Sequence, residues 1–163
     1  MQNRLENIFL MRHGLSKANE DLGEYKITSD HKIILSPTGK EQVLAAGAWF
    51  RNYLYTGPMN IESGQIRMWT SDYYRAIESS DGFLKGFNRP NFFRDVRKDI
   101  LLNEQRFGYF DGLSDEERAA EYPKEFEKFK RQGKFYGQPP AGESRYDVCM
   151  RVRPFFGTII RDA

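Results

Sequence analysis

Arg12, His13, Arg75 and Glu104 are the residues of this chain whose types and placement suit a common chemistry. Arg12-His13 closes a short apolar run, Ile8–Met11. Ser71 and Arg75 follow a second candidate strand, Gln65–Thr70, and Glu104 follows Leu101-Leu102. Each group thus stands at the carboxyl end of an expected strand, where open parallel sheets bind ligands. A guanidinium stays charged at biological pH and grips phosphate through paired hydrogen bonds. A histidine near neutral pH is partly unprotonated and can act as a nucleophile. A partly buried glutamate with a raised pKa protonates a leaving oxygen. Two arginines, one histidine and one glutamate make a complete set for phosphoryl transfer to histidine. That reaction needs mainly positioning and charge stabilisation. The arginines supply the charge without Mg²⁺, so no metal and no cofactor is expected, and the substrate is a small phosphorylated molecule.

The elements that must position these groups are legible in outline. Ile8–Met11 reads as a buried strand. Residues 15–35 read mostly as loop. Ser36-Pro37 opens a helix, with Ser as N-cap and Pro at the first helical position. Val43, Gly47, Phe50 and Leu54 recur on one helical face, and Gly57-Pro58 ends the element. A helix is expected from Ser71 through about Phe87, then a turn at Asn88–Asn91. Phe92–Val96 and Ile100–Leu102 read as strand or extended chain. Ser114–Glu117 is a capping box that opens a further helix, which Tyr122-Pro123 breaks. A charged helical stretch, Glu125–Arg131, follows, then a loop over Gly133–Gly142. Ser144–Asp147 resembles a second capping box, and a last helix runs from about Arg145. Alternating strands and helices imply an α/β three-layer sandwich, a mostly parallel central sheet with helices on both faces.

Composition narrows the function classes. The chain has 163 residues, with 39% hydrophobic and 15% aromatic, enough for a core. Lys plus Arg number 25 against 23 Asp plus Glu, with signs interspersed, so no nucleic-acid partner is expected. One cysteine, Cys149, excludes an internal disulfide and a cysteine-rich zinc module. It reads as a buried structural residue, since Cys-x₅-Arg chemistry would need Arg where Phe155 stands. The apolar run near the start is too short for a signal core or a membrane span, so a cytoplasmic protein with no membrane partner is expected. His31, in Ser29–Lys32, reads as a loop residue. There is no phosphate-binding Gly-x₄-Gly-Lys-Ser/Thr loop. The oligomeric state is open.

Five segments, in order, carry a family resemblance: Leu10–Asn19 with its Arg-His-Gly, Leu35–Gly39 with Gln42, Thr70–Ala76, Leu102–Gly108, and Gly142-Glu143-Ser144. Together they resemble the histidine phosphatase superfamily in its phosphoglycerate mutase-like branch, over essentially the whole chain. The resemblance implies that His13 is the nucleophile and becomes phosphohistidine, and that Arg12 and Arg75 grip the phosphoryl oxygens. It implies that Asn19 adds a hydrogen bond to phosphate, Ser16 helps hold the loop, and Glu104 is the proton donor.

Two departures from the family pattern stand out. Leu15 occupies a position that is often Glu in this branch. The family also has a second core histidine on a central strand beyond the helix that follows Gly-Glu-Ser. This chain ends at Ala163 with no histidine beyond His31. The expectation is therefore a single domain over 1–163 that is an amino-terminal fragment, with unpaired strand edges and reduced stability. The short stretch between Glu104 and Glu143 favours a phosphatase. A non-catalytic phosphate-binding relative and a phosphoglycerate mutase are the alternatives.

Overall fold

The computed structural model describes residues 5–59 and 61–162. Their contacts divide into two compact units. One is Leu10–Asn103; the other joins residues 5–9 with residues 104–162.

The Leu10–Asn103 unit is built on two long helices and a parallel strand pair. Two short helices, α1 (Lys17–Glu20) and α2 (Glu24–Ile27), and a 3₁₀ turn at Asp30–Lys32 occupy the expected loop. Helix α3 (Pro37–Thr56) starts where the sequence predicts: the Ser36 hydroxyl accepts from the Gly39 amide at 3.2 Å. Its buried face carries Val43, Gly47, Phe50 and Leu54, as the spacing requires. Strand β1 (Ile66–Thr70) leads to helix α4 (Tyr74–Phe87), which crosses over to strand β2 (Phe93–Lys98). Parallel strands need such a crossover. Helix α4 ends at Asn88, in the left-handed conformation at φ 49°.

Helices α3 and α4 meet backbone to backbone. A Cβ on Gly47 would come within 2.0 Å of the Phe83 carbonyl oxygen, and one on Gly86 within 2.0 Å of the Leu44 carbonyl oxygen. Only glycine permits this approach. It brings Phe50, Leu54, Phe83 and Phe87 into one aromatic core with Phe92, against which Ile66, Met68 and Phe93 pack from the strands. The Phe87 ring lies 5.0 Å from Phe92 and 5.1 Å from Phe93.

The register slips once. Ile66 pairs with Phe93, but Arg67 pairs with Asp95. A one-residue slip exchanges the faces of a strand. Phe93 therefore joins the core, while Asp95 and Arg97 come beside Arg67 and Trp69. The Arg67 Nε donates to Asp95 at 2.6 Å, and the Arg97 guanidinium stands 5.4 Å over the Trp69 ring.

Two expected strands are corrected. Ile8–Met11 is neither strand nor buried; Leu10 is 93% exposed. The ladder bonds of β1 and β2 are made to each other, and among the described residues the sheet has these two strands alone. Ile100–Leu102 is a 3₁₀ turn, because the Asp99 carboxylate accepts from the Leu101 amide at 2.9 Å and curls the chain.

The other unit is helical. Helix α5 (Asp115–Glu121) opens with the expected capping box between Ser114 and Glu117. Helix α6 (Pro123–Tyr136) outruns the expected Glu125–Arg131 and bends at Gly133, where φ is 75°. The loop therefore begins at Gly137 rather than Gly133. Helix α7 (Arg145–Arg161) opens with the second capping box, Ser144 with Asp147. Phe110, almost fully buried, packs at 6.0 Å from Phe126 and 5.6 Å from Phe129. Cys149, expected to be buried, is exposed on α7. Helices with a parallel sheet make the fold α/β, as the alternation of elements implies. Among the described residues no helix is long and apolar enough to cross a membrane.

Candidate functional site

In the Leu10–Asn103 unit Arg12, His13 and Ser16 lie on the loop that precedes α1, Asn19 lies in α1, and Arg75 lies on α4, whose backbone is tied to that loop. The loop is fixed from two sides. On one, the Gly14 amide donates to the Ser79 hydroxyl at 3.1 Å, and that hydroxyl donates to the Arg75 carbonyl at 2.6 Å. Ser79 lies one turn beyond Arg75 on α4, so one buried hydroxyl ties the residue after His13 to the turn carrying Arg75. On the other side, the loop sits against the start of α3. A Cβ on Gly14 would come within 2.4 Å of the Gly39 carbonyl oxygen, and one on Gly39 within 2.0 Å of the Leu15 carbonyl oxygen. The Leu15 amide donates to the Gln42 side chain at 2.9 Å, and the Ser36 amide donates to the Leu15 carbonyl at 2.9 Å.

These contacts set the surroundings of each candidate. His13 is half-buried, and its Nδ1 lies 2.7 Å from the Gly14 carbonyl oxygen. A carbonyl can only accept, so Nδ1 carries the proton. In the neutral ring the lone pair is then on Nε2. Arg12 is exposed beside it. Ser16 is buried and caps α1, its hydroxyl accepting from the Asn19 amide at 3.2 Å. Asn19 completes the box by accepting from the Ser16 amide at 3.1 Å. The side-chain oxygen of Asn19 is thus engaged in holding the loop.

Arg75 is 3% exposed. Its Nη1 lies 2.7 Å from Asp30 Oδ1 and donates to the Asp30 carbonyl at 2.7 Å, and its guanidinium stands 4.8 Å from the Tyr73 ring centroid. A buried guanidinium demands such partners. The 3₁₀ turn at Asp30–Lys32 is thereby drawn onto α4. His31, next to Asp30, is exposed.

Glu104 belongs to the other unit. It is exposed, where a partly buried glutamate was expected. Arg151 Nη2 donates to the Glu104 carbonyl at 3.0 Å. Arg151 also donates through Nε and Nη2 to the Glu143 carboxylate, at 2.8 and 3.2 Å. Glu143 is 8% exposed and accepts from the Arg106 amide at 3.1 Å. Burial pushes its carboxyl up. The hydrogen bonds from Arg151 and the Arg106 amide, with both guanidinium charges, outweigh burial and hold the group below its ordinary value. Among the described residues no three His, Cys, Asp or Glu side chains come together as metal ligands do.

Four residues that organise these segments were not singled out as site residues from the sequence: Asp30, Gln42, Ser79 and Arg151. Gln42 and Ser79 carried a signal, being three residues beyond Gly39 and four beyond Arg75 on helices. Asp30 carried none, since Arg75 is 45 residues on, and the link from Arg151 to Glu104 spans 47 residues.

A profile of the histidine phosphatase superfamily (branch 1) matches residues 8–163. The chain is 36% identical over 159 residues to phosphoglycerate mutase-like protein AT74H of Arabidopsis thaliana, covering 96% of this chain and 54% of that protein. It is 29% identical over 154 residues to a 2,3-bisphosphoglycerate-dependent phosphoglycerate mutase 2 of Gloeobacter violaceus, covering 94% of this chain and 63% of that one. The chain spans about half the length of the two Arabidopsis relatives it matches. Its fold is similar to that of mycobacterial glucosyl-3-phosphoglycerate phosphatase solved with VO3. There the TM-score is 0.65 and the identity 23%, over 92% of this chain and 62% of that one.

Proposed function

The chain belongs to the histidine phosphatase superfamily, branch 1, and on that premise we propose that it is a metal-independent phosphomonoester hydrolase working through phospho-His13. In this reading the Nε2 lone pair of His13 attacks phosphorus. The P–N bond forms as the ester P–O bond breaks, and the Glu104 carboxyl gives its proton to the leaving oxygen. Water then attacks the phosphohistidine, the P–N bond breaks, and inorganic phosphate leaves as Glu104 regains a proton from that water. Arg12 and Arg75 bear the negative charge of the phosphoryl oxygens throughout. Ser16 and Asn19 hold the loop by their reciprocal capping, and Asn19 is also assigned a hydrogen bond to phosphate. The setting is the cytoplasm, in keeping with a single cysteine.

The observation that most supports this reading is the Gly14–Ser79–Arg75 chain of hydrogen bonds. It ties a histidine with a fixed tautomer to a buried arginine. The test is incubation with a ³²P-labelled phosphomonoester, followed by measurement of acid-labile, base-stable phosphate on the protein. Labelling is expected in the native chain and absent in His13→Ala. Labelling that persists in His13→Ala sinks the assignment. A second reading, a phosphate binder without turnover, is favoured by Arg75 being already matched with Asp30. It predicts phosphate affinity lost in Arg75→Ala and no labelling in any variant. A mutase would move phosphate within phosphoglycerate without releasing it, which product analysis separates.

A further inference from the structure

Two stretches of the unit that holds Glu104 run side by side, residues 104–109 and 140–143. The Tyr109 amide donates to the Pro140 carbonyl at 3.0 Å, and the Glu143 amide donates to the Arg106 carbonyl at 2.8 Å. The Gln105 side chain donates to the Glu143 carbonyl at 2.6 Å. At the end of this seam sits the buried Glu143 carboxylate, receiving Arg151 on both oxygens and the Arg106 amide on one. Arg151 Nη2 also donates to the Glu104 carbonyl at 3.0 Å.

This is more fixation than a surface turn needs. A buried carboxylate is costly to desolvate even with a partly exposed guanidinium beside it, and apolar side chains fill the same space as well or better. What the charged pair gives is geometry. A forked guanidinium fixes direction as well as distance. Here one fork joins α7, the Gly142–Ser144 segment and the backbone of Glu104. We propose that the Glu143–Arg151 pair is a positioning device for the proton donor, setting the backbone of Glu104–Arg106 so that the Glu104 carboxyl meets the leaving oxygen. This rests on the reading of Glu104 above. Neither Glu143 nor Arg151 touches the reacting atoms in it; both act through Glu104.

Leaving-group dependence tests the idea. A p-nitrophenolate leaves with little help from an acid, whereas phenolate or an alkoxide needs a proton in the transition state. Misplacing a catalytic group by about 1 Å costs on the order of 10²-fold. Glu143→Gln in the full chain is therefore expected to slow phenyl phosphate hydrolysis about 10²-fold while leaving p-nitrophenyl phosphate turnover much less changed. Added to Glu104→Gln, it should cause no further loss, because both act through one proton. Equal losses on the two esters, or full additivity with Glu104→Gln, would overturn the proposal. Should Glu143→Gln fail to fold, Arg151→Lys carries the same comparison, since lysine keeps the charge opposite Glu143 but cannot also reach the Glu104 carbonyl. If the native chain hydrolyses neither ester, the hydrolase reading falls and takes this proposal with it. If Glu104→Gln slows both esters alike, the proton-donor assignment falls and the proposal with it. Selectivity in Glu104→Gln without selectivity in Glu143→Gln or Arg151→Lys removes the positioning role alone.

Discussion

Arg75 meets Asp30 where little water reaches either side chain; the Asp30 side chain is 18% exposed. Removing one partner of such a pair leaves the other charge buried without its match, a loss of about 3–5 kcal/mol. Asp30→Ala is expected to show it as a lowered urea midpoint. Asp30→Asn removes the same charge and should lose a comparable amount, because the Arg75 hydrogen bond goes to the Asp30 backbone carbonyl and not to Oδ1. Equal stability of Asp30→Ala and the native chain would mean that water, rather than Asp30, balances Arg75. This pair also marks the limit of sequence reading at the residue scale. Arg12-His13-Gly14 and Arg75 were legible because few chemistries use that combination at the ends of apolar runs. Asp30 was not, since nothing local distinguishes an aspartate that meets an arginine 45 residues on. Asn19 was legible by position, while its capping of Ser16 escaped because the same side chain suits a phosphate ligand.

At the scale of elements, most caps and faces were readable, although Ser71, expected to cap α4, stands two residues before its N-cap Tyr73. Ser36, Ser114 and Ser144 stand at helix starts as their sequences demand, and the apolar face of α3 is the buried face. The crossing of α3 with α4 was not readable, although its glycines were in plain view. Their reason is a partner backbone, which a single sequence does not display. Gly47→Ala tests it: the added methyl meets the Phe83 carbonyl and must push the helices apart. A destabilisation of about 1–3 kcal/mol is expected, read as a lower thermal midpoint. If alanine is neutral there, the helices separate freely and the glycine contact has no structural weight. Ile8–Met11 failed as a strand for a different reason. A short apolar run acquires strand structure from the strands beside it, and among the described residues neither β1 nor β2 pairs with it.

For the molecule as a whole, acid should reveal the Glu143 cluster. Its carboxyl titrates below the ordinary range when folded, so the unfolded chain binds the proton more readily. Stability from this group is complete above the ordinary glutamate range, about pH 4.3, and is lost as pH falls through the lower folded value. Glu143→Gln should flatten that acid limb in urea unfolding followed from pH 6 to about pH 2, and lower the plateau above it. An unchanged limb would assign acid sensitivity to other carboxylates. The two-unit division was not legible at all, because the second unit joins the first residues to the last third of the chain.

That division also sets an order in time. Leu10–Asn103 is one contiguous stretch, and a ribosome extends the chain at roughly 5–20 residues per second, amino terminus first. Gln42 and Ser79, which hold the loop after His13, have been made before Glu104 is added. Glu104 in turn waits for Arg151, 47 residues on, to be held. During synthesis there is thus an interval of seconds in which the residues proposed to grip phosphate exist and the acid proposed to release it does not.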